Sequence, residues 1–218
     1  MQSAEVTVQA GEVRLDGTLT IPDKAQGIVV FAHGSGSSRF SSRNRYVAGV
    51  LNDGGLATLL FDLLTAEEHE IDVYTRELRF DIDMLSARMV ATLDWLGGEG
   101  TVSKLPIGLF GASTGAAAAL NAAAARPDRV AAVVSRGGRP DLAMAALPKV
   151  VAPTLLIVGG LDFQVIEMNR AAQAALQAPC QLDIVEGATH LFEEPGTLEQ
   201  VALLARDWFL KHLHGPVD

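Results

Sequence analysis

Cysteine is almost absent from this chain of 218 residues, which contains only Cys180. A single cysteine excludes both an intrachain disulfide and a cysteine-rich metal site. His69, His212 and His214 have no partners at the spacing of metal ligands, so we expect no metal. Cys180 lies away from the carboxyl end of any predicted strand. A buried or edge thiol is therefore expected there rather than a nucleophile.

Positive charge is also scarce: the chain has 17 basic and 26 acidic residues, and the formal net charge is −9. The overall field repels phosphate, which argues against nucleic acids and anionic membranes as partners. Four of the basic residues are lysines and 13 are arginines. A local arginine cluster can still bind a small anion, since the guanidinium fork fits carboxylate and phosphate groups.

The chain has no long apolar run of the kind that crosses a membrane. The longest run, Ala116–Ala125, is interrupted by Asn121 and is far shorter than the roughly 20 residues of a membrane span. The first residues also lack the basic and apolar regions of a signal peptide, so we expect a cytoplasmic protein. Hydrophobic residues make up 49% of the chain, enough for a buried core. The length suits one domain over residues 1–218, as a monomer or homodimer.

Strand and helix patterns alternate along the chain. Two segments within residues 5–21 alternate apolar and polar around a turn at Gly11, which predicts a hairpin exposed on one face. Continuous apolar runs, typical of strands covered on both faces, follow at Ile28–Ala32, Ala57–Phe61, Ile107–Phe110, Val130–Val134, Thr154–Val158 and Leu182–Val185. Helical patterns lie at Ser42–Asn52, Arg76–Leu96, Thr114–Ala125, Asn169–Gln177 and Thr197–His212.

This alternation predicts an α/β fold, with a mostly parallel eight-stranded sheet, an antiparallel N-terminal hairpin and helices on both faces. Thr197 and Gln200 have the spacing of a capping box, and Gly215 with Pro216 is expected to end the last helix. The longest remaining segments, Leu63–Thr75 and Gly137–Ala152, are long enough for flaps but not for a full lid domain.

The chemistry is expected at the carboxyl ends of the strands, where ligands gather in such sheets. Gly111-Ala112-Ser113-Thr114-Gly115 follows the strand Ile107–Phe110 and opens an alanine-rich helix. A serine on this tight turn is presented at the helix N-terminus, which favours a developing negative charge. The strand–turn–helix context makes G-x-S-x-G a candidate nucleophile site at Ser113.

A serine nucleophile needs a base, and the base needs an orienting carboxylate. Asp162 follows the strand Thr154–Val158, and His190 follows the strand Leu182–Val185. The three side chains occur in the order Ser, Asp, His, each after a separate strand, so they are expected to converge on one edge of the sheet. Asp141 and Asp183 are competing carboxylates, but neither follows a loop like Gly159-Gly160 that brings Asp162 across.

With these motifs the whole chain resembles the α/β-hydrolase superfamily, and its small size and loops are similar to the dienelactone hydrolase-like branch. His33-Gly34-Ser35-Gly36 resembles the family's oxyanion loop. The resemblance implies an oxyanion hole built from the backbone N–H groups of Ser35 (or Gly36) and Thr114. His33 itself is expected to pack and hydrogen-bond beneath this loop rather than act in catalysis.

One position departs from the family. Dienelactone hydrolases carry a cysteine nucleophile, whereas this chain has Ser113, which favours a serine esterase over an enzyme acting on dienelactone. Gly34 and Gly36 are also candidate substrate contacts. Nucleotide binding by these glycines is not favoured, because neither G-x-x-x-x-G-K-[ST] nor G-x-G-x-x-G is completed.

Arginines follow two of the strands on the expected active-site edge. One interpretation is that they bind a substrate carboxylate or phosphate, with Arg136 as the best candidate and Arg39 as another. The alternative is that they form structural salt bridges with nearby carboxylates. The arginines are Arg39, Arg43, Arg45, Arg136 and Arg139, and the carboxylates are Asp62, Glu67, Glu68 and Asp141.

The sequence therefore predicts a serine hydrolase that cleaves a small carboxylic ester or thioester through an acyl-enzyme intermediate, without a cofactor. An acyltransferase or perhydrolase with the same triad is an alternative, because the motif does not determine which nucleophile accepts the acyl group. A protein that keeps the fold and binds a small molecule without turnover is a second alternative.

Overall fold

The computed structural model describes residues 1–214, which form eight strands and six α-helices. The strands are β1 (Gln2–Ala10), β2 (Val13–Ile21), β3 (Ile28–Ala32), β4 (Ala57–Phe61), β5 (Ile107–Ala112), β6 (Val130–Arg136), β7 (Thr154–Gly159) and β8 (Cys180–Val185). The helices are α1 (Ser42–Asp53), α2 (Ala66–Thr75), α3 (Ile82–Leu96), α4 (Thr114–Ala125), α5 (Phe163–Ala175) and α6 (Thr197–His212).

All eight strands join one sheet in the order β1-β2-β4-β3-β5-β6-β7-β8. β1 pairs antiparallel with β2, and β2 pairs antiparallel with β4, whereas every other pairing is parallel. The predicted sheet and its N-terminal hairpin are confirmed. The carboxyl ends of β3, β5, β6 and β7 therefore lie side by side, and the loops that follow them share one edge.

Helices cover both faces of the sheet and divide the core into two main layers. On one face α3 and α4 pack against β3, β4 and β5, and α5 packs against β7 and β8. On the other face α1 and α6 cover the same central strands through residues such as Leu51 and Phe209. The central strands β3, β4, β5 and β7 are buried throughout, as their continuous apolar runs predicted.

One helix was not predicted from the sequence, and two predictions about helices are wrong. The segment Leu63–Thr75 contains α2, because Thr65 and Glu68 form a complete capping box. The predicted helix Arg76–Leu96 is divided, since the side chain of Asp81 accepts a hydrogen bond from the Met84 N–H and starts α3 there. The capping box at Thr197 is absent, because the Thr197 hydroxyl donates to the Glu194 carbonyl instead.

Connecting segments also contribute to this core, through buried residues such as Leu147 and Val150. The expected helix stop at Gly215 and Pro216 lies outside the described residues, and α6 ends at His212. Residues 137–152 form two short 3-10 turns, Pro140–Ala143 and Leu147–Lys149. Among residues 1–214, no helix combines the length and apolar character that crossing a bilayer requires.

Candidate active site

Ser113 occupies a sharp turn between β5 and α4, at the N-terminal end of the helix. Its backbone has φ 53° and ψ −124°, a conformation that non-glycine residues rarely adopt. The Ser113 N–H donates to the Arg136 carbonyl at 3.2 Å, and the Ser113 carbonyl accepts from the N–H groups of Ala116 and Arg139. These bonds hold the strained turn in place and tie it to the neighbouring strand β6.

Two glycines allow this turn to pack against its surroundings. A Cβ atom on Gly115 would lie 2.2 Å from the carbonyl oxygen of Ala32, which belongs to β3. A Cβ atom on Gly111 would lie 2.4 Å from the Cα of Ala116 in α4. Side chains at either position would displace backbone, so the G-x-S-x-G spacing is a steric requirement of the turn.

His190 and Asp162 are joined at the same edge of the sheet. His190 Nδ1 lies 2.6 Å from Asp162 Oδ2. With Nδ1–H donating to the carboxylate, Nε2 is left free to accept a proton. The Asp162 side chain is only 16% exposed and that of His190 is 40% exposed, so the carboxylate is sheltered while the imidazole reaches the surface.

The loop that carries His190 is fixed from several sides. A Cβ atom on Gly159 would lie 2.4 Å from the Ala188 carbonyl oxygen, so only glycine lets β7 approach this loop so closely. The Thr189 N–H and hydroxyl both donate to the Glu194 carboxylate, at 3.2 and 2.5 Å. The Thr189 hydroxyl bond is the main cause that lowers the pKa of Glu194. Glu194 therefore stays ionised and holds the turn on which His190 sits.

The loop after β3 lies beside the start of α4. The side-chain oxygens of Ser35 and Thr114 are 2.7 Å apart, and the Ser35 hydroxyl also donates to the Arg79 carbonyl at 3.2 Å. Within the described residues no acceptor takes up the backbone N–H of Ser35 or Thr114. The Thr114 N–H lies in the first turn of α4, directly after Ser113, and N–H groups at a helix N-terminus can stabilise a negative oxygen.

His33 supports this loop from below. Its Nε2 accepts a hydrogen bond from the Leu63 N–H at 3.0 Å, and its Nδ1–H donates to the Gly34 carbonyl at 2.8 Å. Burial is the largest influence and lowers the pKa of His33. The neutral ring therefore connects two loops as a structural element, as the sequence suggested.

A cleft of about 250 Å³ opens beside the serine. It is lined by Gly34, Ser35, Ser37, Ser41, Arg43, Asn44, Ala112, Ser113, Arg136, His190 and Leu191. Most of these residues are polar, and Ala112 and Leu191 are the apolar ones among them. The cleft therefore brings together Ser113, His190 and two arginines, and its volume suits a small molecule.

The model of the dienelactone hydrolase family matches residues 15–209 of the chain. The protein belongs to this family. The crystal structure of a dienelactone hydrolase from Anabaena variabilis is 60% identical, covers 98% of this chain and 99% of its own, and has a TM-score of 0.96. Est1E from Butyrivibrio proteoclasticus shares the fold at a TM-score of 0.80, with 17% identity over 95% of this chain and 98% of its own. The family and the fold are those of hydrolases.

A longer relative comes from Mycobacterium tuberculosis (strain ATCC 25618 / H37Rv), and its name assigns it provisionally to the phosphoribosyl transferases. It is 60% identical over 216 residues, which are 99% of this chain but 48% of the relative. A relative with the same name and the same figures comes from strain CDC 1551 / Oshkosh. The chain thus spans about half the length of the curated relatives it matches.

In this family member Arg136, at the end of β6, is buried beside the cleft. It is 6% exposed, and its Nη2 donates to the Asn44 side-chain oxygen at 3.3 Å. Its guanidinium lies 6.0 Å from the centre of the Phe192 ring, within reach of a cation–π contact. Burial, with a smaller contribution from the Arg43 charge, lowers the pKa of Arg136 to about 10. Arg43 is therefore close enough to repel it.

The remaining arginines of the sequence-predicted clusters lie apart from this cleft. Arg39 is paired with Asp62 and reaches Glu5 at 3.4 Å. Arg139 forms two hydrogen bonds to the Asp141 carboxylate, at 2.8 and 2.9 Å. For both, the structure matches the salt-bridge interpretation. Arg45 is exposed and lines a different groove, which it shares with β1 and β2.

The competing groups considered in the sequence are occupied elsewhere. Asp141 is the partner of Arg139, and Asp183 accepts hydrogen bonds from Gln181 within β8. Cys180 is half-buried at the first residue of β8, and burial raises the pKa of its thiol to about 11. A protonated thiol at the amino end of a strand is remote from the chemistry at the opposite edge. Among the described residues no cluster of histidine, cysteine or carboxylate side chains is suited to a metal ion.

Three contributors to the site were missed in the sequence. Asn44 is buried in α1 and contacts Arg136 across 92 positions of the chain, a pairing that no local pattern reveals. Glu194 holds the His190 loop through Thr189. Arg79 covers the glycine-rich loop and is held by Asp72 through a hydrogen bond of 2.8 Å. The one sequence signal for Asn44 was its place as a polar residue in the first turn of α1, close to the expected active-site edge.

Proposed function

We propose that this protein is a serine hydrolase that cleaves small carboxylic esters or thioesters. The observation that carries the proposal is the arrangement around one cleft. Ser113 sits on a strained turn at a helix N-terminus, and His190, oriented by Asp162, lines the same cleft. A nucleophile, a base and an orienting carboxylate are the parts that acyl transfer through serine needs.

The proposed reaction proceeds in two balanced steps. His190 Nε2 takes the hydroxyl proton as Ser113 Oγ forms a bond to the carbonyl carbon, and it gives that proton to the departing alcohol or thiol. Water then attacks the acyl-enzyme with His190 again as base, which releases the acid and restores the serine. Asp162 keeps the imidazole in the tautomer that can accept the proton.

The N–H groups of Ser35 and Thr114 are proposed to stabilise the negative oxygen in both steps. Each such donor contributes about 3 kcal/mol in comparable sites. They are backbone groups, so this part of the site is insensitive to most side-chain changes. The volume of the cleft, about 250 Å³, supports a small substrate, and no step of this chemistry requires a cofactor.

The name of the longer relatives suggests a different activity, a phosphoribosyl transfer. We assign that suggestion to the half of those proteins that this chain does not match, because the family match over residues 15–209 is to hydrolases. An acyltransferase or perhydrolase remains the alternative within the same triad, and analysis of products with competing alcohols or peroxide distinguishes it from hydrolysis.

Turnover of p-nitrophenyl butyrate by Ser113→Ala tests the proposal. We expect kcat/KM to fall by about 1,000-fold or more, because the covalent route is lost. Ser103→Ala is the matched control, since that hydroxyl donates only to the nearby Gly100 carbonyl. Turnover by Ser113→Ala equal to the control would overturn the assignment. Labelling of Ser113 by a fluorophosphonate without ester turnover would instead support a binding protein.

A further inference from the structure

Arg136 is the most unusual charged group of the described residues that the proposed reaction does not use. It is buried, it lines the cleft beside Ser113, and its Nε atom has no hydrogen-bond partner there. Its Nη2 contacts a neutral amide, and no carboxylate of residues 1–214 pairs with it. A buried cation normally has a counter-ion, since leaving it without one is costly.

A second cation and a helix terminus face the same space. Arg43 lines the cleft, and its Nε atom is also buried without a hydrogen-bond partner among the described residues. The first turn of α1, which supplies Ser41, Arg43 and Asn44 to the cleft, contains no acidic residue. The positive end of the helix dipole therefore adds to the two guanidinium charges instead of being neutralised.

We propose that Arg136, Arg43 and the N-terminus of α1 form a subsite for a phosphate monoester group carried by the substrate. This inference rests on the proposed function and names its substrate class: a small carboxylic ester that also bears a phosphate. The bond that breaks is the carboxylic ester attached at Ser113, and the phosphate leaves unchanged on one of the two products.

The charge of the subsite favours phosphate over a single carboxylate. Two guanidinium groups and a helix terminus surround a space without a compensating anion, so a monoanion would leave one cation unbalanced. A phosphate monoester carries close to two negative charges at neutral pH and has three acceptor oxygens. Ser37 and Ser41 line the same cleft, and their hydroxyls are available as further donors to these oxygens.

The subsite lies in a molecule that repels anions as a whole, with a net charge of −9. A site that binds phosphate against this field must do so by short-range contacts. Binding is therefore expected to depend on these two arginines and not on the remaining surface charge. This predicts a sharp difference between a cleft arginine and a surface arginine from the same helix.

Titration calorimetry with inorganic phosphate tests the subsite directly. We expect wild-type protein to bind phosphate, and Arg136→Met and Arg43→Ala each to lose about tenfold or more in affinity. Arg45→Ala is the control, because that side chain is exposed and outside the cleft. Equal affinity in all four proteins, or no binding by the wild type, would overturn the proposal. Arg43→Ala keeps the test valid if Arg136→Met fails to fold.

Three butyrate esters test the substrate class: 2-hydroxyethyl, 3-carboxypropyl and 2-phosphoethyl butyrate. We expect the phosphate ester to have about a tenfold or greater advantage in kcat/KM over the hydroxyl ester, and Arg136→Met to remove it. Equal rates for the three esters, or a preference for the carboxylate ester, would contradict a phosphate subsite.

The two proposals fail in different ways. Hydrolysis of neutral esters that depends on Ser113, without phosphate binding, leaves the serine hydrolase intact and removes the subsite. Phosphate binding that depends on Arg136, in a protein that hydrolyses none of the three esters, retains the anion site but overturns both the esterase and the substrate class inferred from it.

Discussion

Two buried arginines of this protein have opposite surroundings. Arg88 of α3 is 9% exposed and uses its two terminal nitrogens on Glu68, with a further hydrogen bond of 2.7 Å to the Leu63 carbonyl. Arg136 is buried to a similar degree, yet its hydrogen-bond partner is a neutral amide and the nearby charge of Arg43 repels it. The first charge is satisfied within the fold, where it fastens α2 to α3. The second has no carboxylate partner among residues 1–214.

The largest expected effect comes from breaking the satisfied arginine. Arg88→Met should lower the free energy of unfolding by about 3 kcal/mol, because it leaves Glu68 without its partner. Urea denaturation measures this loss. Arg126→Ala is the control, since its pair with Asp94 is exposed and exposed ion pairs contribute little to stability. Equal effects from both variants would mean that burial does not distinguish these pairs.

Replacing Arg136 should change the free energy of unfolding in the opposite direction from replacing Arg88. Burial lowers the pKa of Arg136 to about 10. Below that pH the side chain is charged in the folded protein, and burial of this charge lowers the free energy of unfolding. Arg136→Met fills a similar volume without the charge, and it should raise the free energy of unfolding by about 1–3 kcal/mol. Thermal and urea unfolding at pH 7 check it. A loss of stability like that of Arg88→Met would show that Arg136 is satisfied within the fold.

The smallest expected effect is on the loss of stability at low pH. The Arg88 hydrogen bond is the main cause that lowers the pKa of Glu68. This stabilisation is therefore fully present above the ordinary carboxyl pKa of about 4.3 and is lost as the pH falls through the lower folded value. In Glu68→Gln the loss of stability between about pH 5 and pH 3 should be smaller by roughly 1 kcal/mol. Identical slopes for variant and wild type, from urea titrations at each pH, would contradict it.

The comparison also explains what the sequence could predict. Ser113, Asp162 and His190 were predicted because each follows a separate strand, β5, β7 or β8, and the parallel order of the sheet brings the ends of those strands to one edge. The pairing of an arginine depends on which loops meet, and Arg136 meets Asn44 over 92 positions. Sequence alone therefore left salt bridge and substrate contact open for every arginine, and packing separated them.

The helix α2 was missed for a related reason. Only Asp72 is buried among its residues, while Ile71 and Tyr74 are exposed, so no apolar face marks it in the sequence. It is held instead by its capping box, by the Glu68–Arg88 pair and by the bonds of Asp72 to Arg79. Polar contacts of this kind have no periodic signature, whereas the apolar stripe of α3 has one.

The alanine-rich helix α4 has a consequence for how this protein can change. Nine of its twelve residues are buried, and most of those are alanine or glycine. At Gly115 an added Cβ atom would meet the backbone carbonyl oxygens of Ala32 and His33. A larger residue there would shift Ser113 itself. We therefore expect the small residues of α4 to change little during evolution. New substrate preferences should therefore evolve in the loops around the cleft, at residues 34–44 and 189–192, which can vary while the position of the serine stays constant.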